Sequence, residues 1–309
     1  MKISTSTFGV IKPYGVEEGL KMLANAGFEA IDYSITQNAV DWDEGFFQDA
    51  SDPSFAEHFK RIGKTVKSFG LEMYQCHAPY APVTISDPAF YAQLQKQTIR
   101  SIYAAGYMES PNIVAHPVLH IDFCDGKNKA LAQQTSIDYF SALVPALKQT
   151  GVTMCIENLF FYDRKTSRWA PNYCSDAQEL CDLIDTLNEM HGKHFAACLD
   201  TGHAWLLHND PAEMIRILGS RTKVLHVQDN LGARDEHLIP TQGTINWKAF
   251  ATALGTVNYQ GTFNFEVSKP FSLLDKDTFS RTTFWNACNY LYSIGRSLSD
   301  IAEGTFCAE

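Results

Sequence analysis

One short segment of the sequence, CLDTGHAW at residues 198–205, brings an acidic and a basic side chain to a place where both can do chemistry. The apolar run HFAACL that leads into it is typical of a buried strand, and a helical pattern follows it. A carboxylate at the end of a buried strand costs free energy unless a neighbouring group stabilises its charge. Asp200 and His203 are therefore candidate ligands or catalytic groups, although an Asp that caps a turn next to a surface His gives the same pattern.

Acidic residues and histidines occur at or near the ends of six consecutive apolar runs. In chain order these residues are His77, His116, Glu157, Asp200 with His203, His226, and Glu266. Singly, each has an ordinary interpretation as a hydrogen-bonded or ion-paired side chain. Their recurrence in six successive units indicates one shared site.

A shared site of this composition favours a metal ion. Carboxylates crowded into a partly desolvated pocket repel one another and raise each other's pKa, and a bound divalent cation removes that conflict. Two Glu, an Asp and a His form a mixed oxygen and nitrogen ligand set that suits Mn²⁺, Zn²⁺, Co²⁺ or Mg²⁺. We therefore expect a divalent metal ion as the cofactor.

The segment RDEHLIPTQGTINW, residues 234–247, adds two more candidate groups. Asp235 and His237 are two residues apart, so in an extended segment their side chains face the same way. Pro240 and Gly243 predict a turn after them. A polar loop with an incidental D-x-H pattern is the simpler interpretation, but the loop's position after the seventh apolar run favours a role at the shared site.

Eight short apolar or alternating runs position these residues, and most are followed by a helical pattern. The predicted strands are residues 2–8, 30–35, 71–77, 112–116, 152–158, 195–200, 223–229 and 262–267. Strict alternation predicts a parallel sheet covered by helices. Eight units in 309 residues predict an α/β fold, a single (β/α)8 TIM barrel over residues 1–309, with its active site at the carboxyl ends of the strands.

A doubly wound open sheet is the alternative architecture. Its dinucleotide-binding form carries a G-x-G-x-x-G fingerprint in the first strand-to-helix turn, and the corresponding segment here, STFGVIKPYG, has no such fingerprint. The longest irregular stretches, 36–53 and 159–175, both follow strands, where substrate loops are expected.

The composition limits the kinds of molecule that the chain is expected to bind. The net charge of −10 argues against non-specific nucleic-acid binding, which rests on basic surface. The eight Cys have no C-x-x-C spacing and are expected to be reduced core thiols. With no signal-peptide pattern and no long apolar segment, the chain is expected to be cytoplasmic and without a membrane partner. A homo-oligomer is left open.

Several of these segments together resemble the xylose-isomerase-like barrel superfamily. They are CIEN around Glu157, DTGH at 200–203, LHVQD around His226, the DEHLIPTQGTINW loop, and FEV around Glu266. The superfamily includes sugar isomerases and epimerases, inosose dehydratases and class II apurinic endonucleases. The resemblance extends from about residue 2 to residue 296.

The ketose 3-epimerase branch implies one divalent metal ion. By position, the resemblance implies that Glu157, Asp200, His226 and Glu266 hold this ion. It also implies that Glu157 and Glu266 form the acid–base pair and that His203 contacts the substrate. The chain departs from the sugar-type pattern in having Thr-Gln before Gly243, and only Arg234 is a loose match to the substrate-binding Arg.

The endonuclease branch implies a three-zinc site instead. Its ligands would be His77, His116, Glu157, Asp200, His203, His226, Asp235, His237 and Glu266, and each position holds a suitable residue. The acidic chain and the scarcity of Lys and Arg in the early loops argue against DNA as the substrate.

The chemistry of the residues favours a sugar isomerase or epimerase. A metal ion chelated by a carbonyl and an adjacent hydroxyl polarises the C–H bond between them, and one carboxylate takes the proton to give a metal-stabilised enediolate. A second carboxylate returns the proton. The expected substrate is a small polyhydroxylated carbonyl compound. Groups expected to contact it are His203, His77, His116, Asp235, His237 and Arg234. The aromatic residues Tyr80, Phe160, Tyr162, Trp169 and Trp205 are candidates to pack against the apolar faces of a sugar, although most buried aromatic residues fill the core instead.

Three other functions stay open. Loss of a β-hydroxyl instead of reprotonation would make the same site a dehydratase or related lyase acting on a cyclitol or sugar-like substrate. A phosphodiesterase of the endonuclease type and a barrel that binds ligand without catalysis are the others. The presence of both Glu157 and Glu266 argues against the last of these.

Overall fold

The computed structural model describes residues 1–35, 50–79, 88–118, 128–163, 165–274 and 276–306. Tyr80 and most of the predicted substrate loop 36–53 lie outside these residues. In the described part of the chain, none of the helices has both the length and the apolar character needed to cross a lipid bilayer.

Eight parallel strands form the barrel. They are β1 (Ile3–Ser6), β2 (Ala30–Ser34), β3 (Glu72–His77), β4 (Asn112–Ala115), β5 (Thr153–Glu157), β8 (Phe195–Asp200), β9 (Thr222–His226) and β10 (Phe263–Phe265). From β1 to β9 each strand pairs with the next in this order, and β10 pairs with β1. Backbone hydrogen bonds from Val227 to Asn264 and from Glu266 to Val227 join the last two strands and close the ring. The predicted (β/α)8 barrel is confirmed.

Helices cover the outside of the barrel. They are α1 (Phe8–Tyr14), α2 (Val16–Asn25), α3 (Pro53–Ser68), α4 (Pro88–Met108), α5 (Lys129–Ser141), α6 (Val144–Thr150), α7 (Ala177–His191), α8 (Thr201–Leu206), α9 (Pro211–Leu218), α10 (Trp247–Thr256), α11 (Lys269–Ser272) and α12 (Arg281–Glu303), with a 3₁₀ turn at Gly219–Arg221. Several begin at a residue whose side chain accepts a backbone N–H of the first turn, as Asp52, Asp176 and Asp210 do.

The inside of the barrel is layered. Successive side chains of a strand face opposite sides, so residues two apart lie above one another inside the ring. Val114, Cys155, Cys198 and Val224 form a separate buried apolar cluster with Ala196. Each of the first four lies two residues before one of the predicted site residues. The polar layer at the mouth therefore rests on an apolar floor.

A two-stranded antiparallel hairpin was not predicted. Strand β6 (Phe160–Asp163) pairs with strand β7 (Arg168–Pro171), and Tyr162 lies opposite Trp169 in this pairing. The expectation of an irregular loop over 159–175 is therefore wrong in part, because the hairpin has its own ladder beyond the end of β5. It lies at the mouth of the barrel.

The cysteines agree with the expectation of reduced core thiols. The six within the described residues are buried and free of disulfides. Burial raises the pKa of Cys155 to about 12, so this thiol stays protonated and packs as an apolar group.

Candidate metal centre and active site

Nine of the ten predicted site residues lie together at the carboxyl ends of the strands. His77, Glu157, Asp200 and His226 are the last residues of their strands, and His116 and Glu266 follow theirs directly. The remaining three are His203 on α8 and Asp235 and His237 in the loop after β9. Arg234 is the exception, because it is exposed at the rim.

Glu157 is the centre of the cluster. Its Oε2 atom lies 3.1 Å from Nε2 of His116 and 3.3 Å from Nε2 of His77, and its Oε1 atom lies 2.7 Å from Nδ1 of His226. The carboxylate is fully buried. Three imidazoles therefore surround one carboxylate that has almost no contact with solvent.

His226 connects Glu157 to two further carboxylates. Its Nδ1 atom lies 3.4 Å from Oε2 of Glu266, and its Nε2 atom lies 3.1 Å from Oδ2 of Asp32. Asp32 sits in the middle of β2 and also accepts a hydrogen bond from Gln75 at 3.1 Å. Asp32 was not predicted from the sequence, although an Asp inside the apolar run AIDYS is a usable signal, because a buried carboxylate requires a partner.

The Asp200 segment combines a helix cap with a place in the site. The Oδ1 atom of Asp200 accepts a hydrogen bond from the backbone N–H of His203 at 2.6 Å. Asn158 fixes this strand end, because its side chain bonds both the N–H and the carbonyl of Asp200. Gly202 lies within α8 rather than in a turn, and a Cβ atom there would collide with the side chain of Gln228. The Asp200 carboxylate therefore caps α8 and also lies in the group of candidate ligands.

The D-x-H loop forms a second cluster next to the first. Asp235 Oδ2 lies 3.1 Å from Nε2 of His237 and 3.7 Å from Nε2 of His203. Gln228 donates a hydrogen bond of 2.8 Å to Oδ1 of Asp235 and also approaches Asp200 at 3.4 Å. Gln228, which sequence analysis also missed, thus links the two clusters.

Asp229 shapes this loop without lying among the ligands. It is buried, and its two carboxylate oxygens accept five hydrogen bonds at 2.8–3.3 Å, from the backbone of Asn230, Thr241, Gly243 and Ile245 and from the indole of Trp247. A Cβ atom at Gly243 would collide with the Asp229 carboxylate. The P-T-Q-G segment is therefore a turn wrapped around one buried charge.

The two glutamates have opposite tendencies to hold a proton. Burial disfavours the charged form of Glu157, but the charge of His226 and hydrogen bonds from three imidazoles outweigh burial and hold its pKa well below the ordinary value. Burial raises the pKa of Glu266 to about 8, because its neighbours compensate less. At neutral pH the metal-free site therefore holds an ionised Glu157 and a protonated Glu266.

The histidines of the second cluster follow their carboxylate neighbours. Burial favours neutral imidazole, yet Asp200 and Asp235 raise the pKa of His203 well above its ordinary value. Asp235 likewise raises the pKa of His237 to about 10 against the effect of burial. Burial would raise the pKa of Asp235, but these two histidines hold it well below its usual range. The negative charge of Asp235 is thus balanced within its own cluster.

The donor set fits a divalent cation. Glu157, Asp200, His226 and Glu266 each offer one ligand atom, and the four atoms lie within 4.8 Å of one another. All four residues are buried, so their negative charge lacks the solvation that water would give. In two groups of three residues, His77–Glu157–His226 and His203–Asp235–His237, the ligand atoms also lie within 4.8 Å of one another.

Aromatic side chains of the hairpin form one wall of the mouth. The ring of Phe160 lies 4.9 Å from that of His203 and 4.7 Å from that of Trp169, and Tyr162 packs against Trp169 at 4.8 Å. Trp205 donates a hydrogen bond to Thr244 at 2.8 Å. Phe160 therefore lies next to the candidate ligand cluster, with Trp169 and then Tyr162 packed behind it.

The fold and the ligand cluster together define a (β/α)8 barrel with a candidate metal centre at its mouth. The family model of the xylose isomerase-like TIM barrel matches residues 20–278, and the chain belongs to that family. The resemblance drawn from the motifs is confirmed.

Individual relatives are distant in sequence and close in fold. The uncharacterised protein y4fM of Sinorhizobium fredii is 23% identical over 292 residues, which cover 86% of this chain and 85% of the relative. A D-psicose 3-epimerase structure determined in the presence of D-fructose superimposes with a TM-score of 0.68 at 15% identity, covering 96% of this chain and 98% of that one. The IolI protein with a bound zinc atom gives a TM-score of 0.71 at 12% identity over the whole of both chains.

Proposed function

We propose that the protein is a divalent-metal-dependent sugar isomerase or epimerase in which Glu157 and Glu266 transfer the proton. The observation that carries the proposal is the placement of these two carboxylates on one imidazole, that of His226, at 2.7 and 3.4 Å from its Nδ1 atom. The likeness in fold to a D-psicose 3-epimerase supports a sugar as the substrate.

The two glutamates differ in protonation in the metal-free site. A base must be ionised and an acid must hold a proton at the working pH, and sites achieve this by pushing the pKa values of two carboxyls apart. Here the pKa of Glu157 lies well below the ordinary value and that of Glu266 is about 8. The metal-free site has this difference, but a metal ion held by both glutamates would displace the Glu266 proton. In the loaded site the acid would then be whichever glutamate has just taken the proton from the substrate carbon.

Glu157, Asp200, His226 and Glu266 are the residues that would hold the metal ion. Such an ion, when bound, supplies Lewis-acid polarisation of the substrate carbonyl and its neighbouring hydroxyl. The chain's own contribution is orientation. Asp32 fixes the ring of His226, Asn158 fixes Asp200, and the Phe160 ring next to His203 helps to exclude water from the site.

The proposal is tested by solvent deuterium exchange into a panel of ketoses and inososes, with the protein loaded with Mn²⁺, Zn²⁺, Co²⁺ or Mg²⁺ in turn. We expect deuterium at a carbon next to the carbonyl for at least one ketose, accompanied by its epimer or isomer. No exchange into any compound with any of the metals would overturn the proposal. Loss of water from an inosose without epimer formation would favour the dehydratase alternative.

A second candidate function, metal-dependent phosphodiester cleavage, is favoured by one observation. The His203–Asp235–His237 group offers ligand atoms for a further ion beside the first, and paired ions are a common device for phosphoryl chemistry. Against it, the charge of Asp235 is already balanced by the two histidines, and the net charge of −10 disfavours a DNA backbone. Incision of an abasic duplex without exchange into any sugar would favour this function over the first.

A further inference from the structure

A cleft lies beside the ligand cluster, between the β6–β7 hairpin and the loop after β9. Its volume is about 800 Å³. Its lining includes Tyr162, Arg168, Trp169, His208, Arg234 and Asp235. If a monosaccharide were held at the candidate metal ligands, this cleft would stay free for a further substituent of the substrate.

The cleft is continuous with the candidate active site. Asp235 lines the cleft and also lies 3.7 Å from His203. Trp169 lines the cleft and packs against Phe160, which in turn contacts the ring of His203. The indole N–H of Trp169 donates a hydrogen bond of 2.7 Å to the carbonyl of Ala233, which holds the hairpin against the loop. The two walls of the cleft are therefore fixed relative to the site.

Two guanidinium groups, those of Arg168 and Arg234, give the cleft a positive charge. Neither forms an ion pair with any of the described residues. The nearby acidic side chains have other hydrogen-bond partners. Asp163, which lies opposite Arg168 in the hairpin, accepts hydrogen bonds from the backbone of Lys165 and the hydroxyl of Thr166, and Asp235 lies between its two histidines. Unpaired arginines above an acidic barrel are suited to an external anion, because guanidinium binds phosphate and carboxylate in a bidentate manner.

We propose that Arg168 and Arg234 bind an anionic group, a phosphate or a carboxylate, at the end of the substrate remote from the reacting carbons. The substrate is then a sugar phosphate or a sugar acid rather than a neutral sugar. Trp169 lines the carbon chain between the two ends, where its ring packs against the apolar faces of the sugar. This inference rests on the proposed function, because it concerns the substrates that the same site accepts.

Binding to the metal-free protein tests the inference without reference to catalysis. Calorimetric titrations compare D-fructose, D-fructose 6-phosphate and D-fructuronate, which differ only at the terminal carbon. We expect at least one charged ligand to bind about tenfold or more tightly than D-fructose, as one or two charge-assisted hydrogen bonds provide. The tighter of the two charged ligands identifies the anion. Equal affinity of all three ligands overturns the inference.

Variants assign the effect to the two arginines. The double substitution Arg168→Gln with Arg234→Gln is expected to bring the affinity ratio of charged to neutral ligand close to one. The matched control is Lys165→Gln, which removes an exposed cation from the same hairpin but outside the cleft, and it is expected to leave the ratio unchanged. A preference that survives in the double variant, or that is lost equally in the control, contradicts the assignment.

The exchange assay separates this inference from the proposed function. Deuterium exchange into D-fructose that equals or exceeds exchange into both charged ligands leaves the proposed function standing and overturns the inference. If no ligand exchanges, the proposed function fails, and the binding titrations still decide whether the cleft selects an anion.

Discussion

The carboxylate of Asp32 and the imidazole of His226 lie 3.1 Å apart, from Oδ2 to Nε2, inside the barrel below the mouth. With Nε2 bonded to Asp32, the other ring nitrogen, Nδ1, faces Glu157 and Glu266. A carboxylate behind a histidine ligand fixes the ring's tautomer and orientation and makes the facing nitrogen a better ligand. Asp32 therefore acts on the candidate metal centre through His226.

The first prediction concerns Asp32→Asn. We expect metal affinity to fall by about 10- to 100-fold, because the amide holds the ring less well and no longer increases the basicity of Nδ1. Competition with a fluorescent chelator measures the affinity. Asp176→Asn, a change at the exposed start of α7 where Asn caps equally well, is the control. An unaltered affinity in Asp32→Asn would show that the pair has no role in metal binding.

The second prediction concerns the two glutamates. Glu157→Gln and Glu266→Gln are each expected to lower the rate of deuterium exchange by at least about 100-fold, the usual contribution of a positioned acid or base. Rates are measured at saturating metal, with metal content determined in parallel. Glu213→Gln on the exposed face of α9 is the control and should retain the full rate. If either active-site variant keeps the wild-type rate with its metal bound, that glutamate is not part of the acid–base pair.

The sequence predicted the strands well because a barrel strand is a short apolar run with a clear end. The predicted and observed ends of the strands agree within three residues, and the candidate ligand residues at these ends lie close together. The hairpin over Phe160–Pro171 escaped prediction, since its pairing depends on packing against Ala233, far along the chain. Asp32 escaped because its partner, His226, is 194 residues away.

Some polar residues near the site have structural roles that residue type alone does not reveal. Asp229 has the same chemistry as Asp200 and also follows an apolar run, yet it accepts its hydrogen bonds from backbone groups of its own loop and from the indole of Trp247. Only the three-dimensional path of the 235–247 loop distinguishes an Asp that organises backbone from one that faces the cluster.

The third prediction is that metal binding releases protons and strengthens as pH rises. In the metal-free protein burial raises the pKa of Glu266 to about 8. Burial opposes a charged imidazole at His226, but the neighbouring Cys198, Glu157 and Glu266 raise its pKa well above the ordinary value. Both groups therefore carry a proton at neutral pH that a metal ion must displace. Affinity should increase between about pH 6 and pH 8, roughly tenfold per pH unit for each proton released.

Calorimetry in buffers of different ionisation enthalpy counts the released protons. Glu157 and Asp235 contribute none, because their pKa values are held well below the ordinary range and both are already ionised. Glu266→Gln should release fewer protons than wild type. An affinity that is constant with pH in the wild-type protein would contradict this account of the site's charge.

The fourth prediction concerns the buried charge that shapes the D-x-H loop. Asp229→Asn replaces one carboxylate oxygen by an NH₂ group, which cannot accept the hydrogen bonds that N–H groups donate to that oxygen. Leaving such buried donors unpaired is expected to lower the free energy of unfolding by on the order of 3 kcal/mol. Thermal unfolding followed by circular dichroism measures the loss as a lower Tm.

Asp210→Asn separates this effect from the general cost of removing an acidic side chain. Asp210 caps α9 by accepting a hydrogen bond from the backbone N–H of Ala212. Asn caps a helix about as well as Asp, so the Tm of Asp210→Asn should stay close to that of the wild-type protein. Because Asp235 and His237 lie in the loop that Asp229 holds, Asp229→Asn should also weaken the contacts of His237 with Glu266. A Tm equal to that of Asp210→Asn would mean that the loop keeps its path without the buried charge.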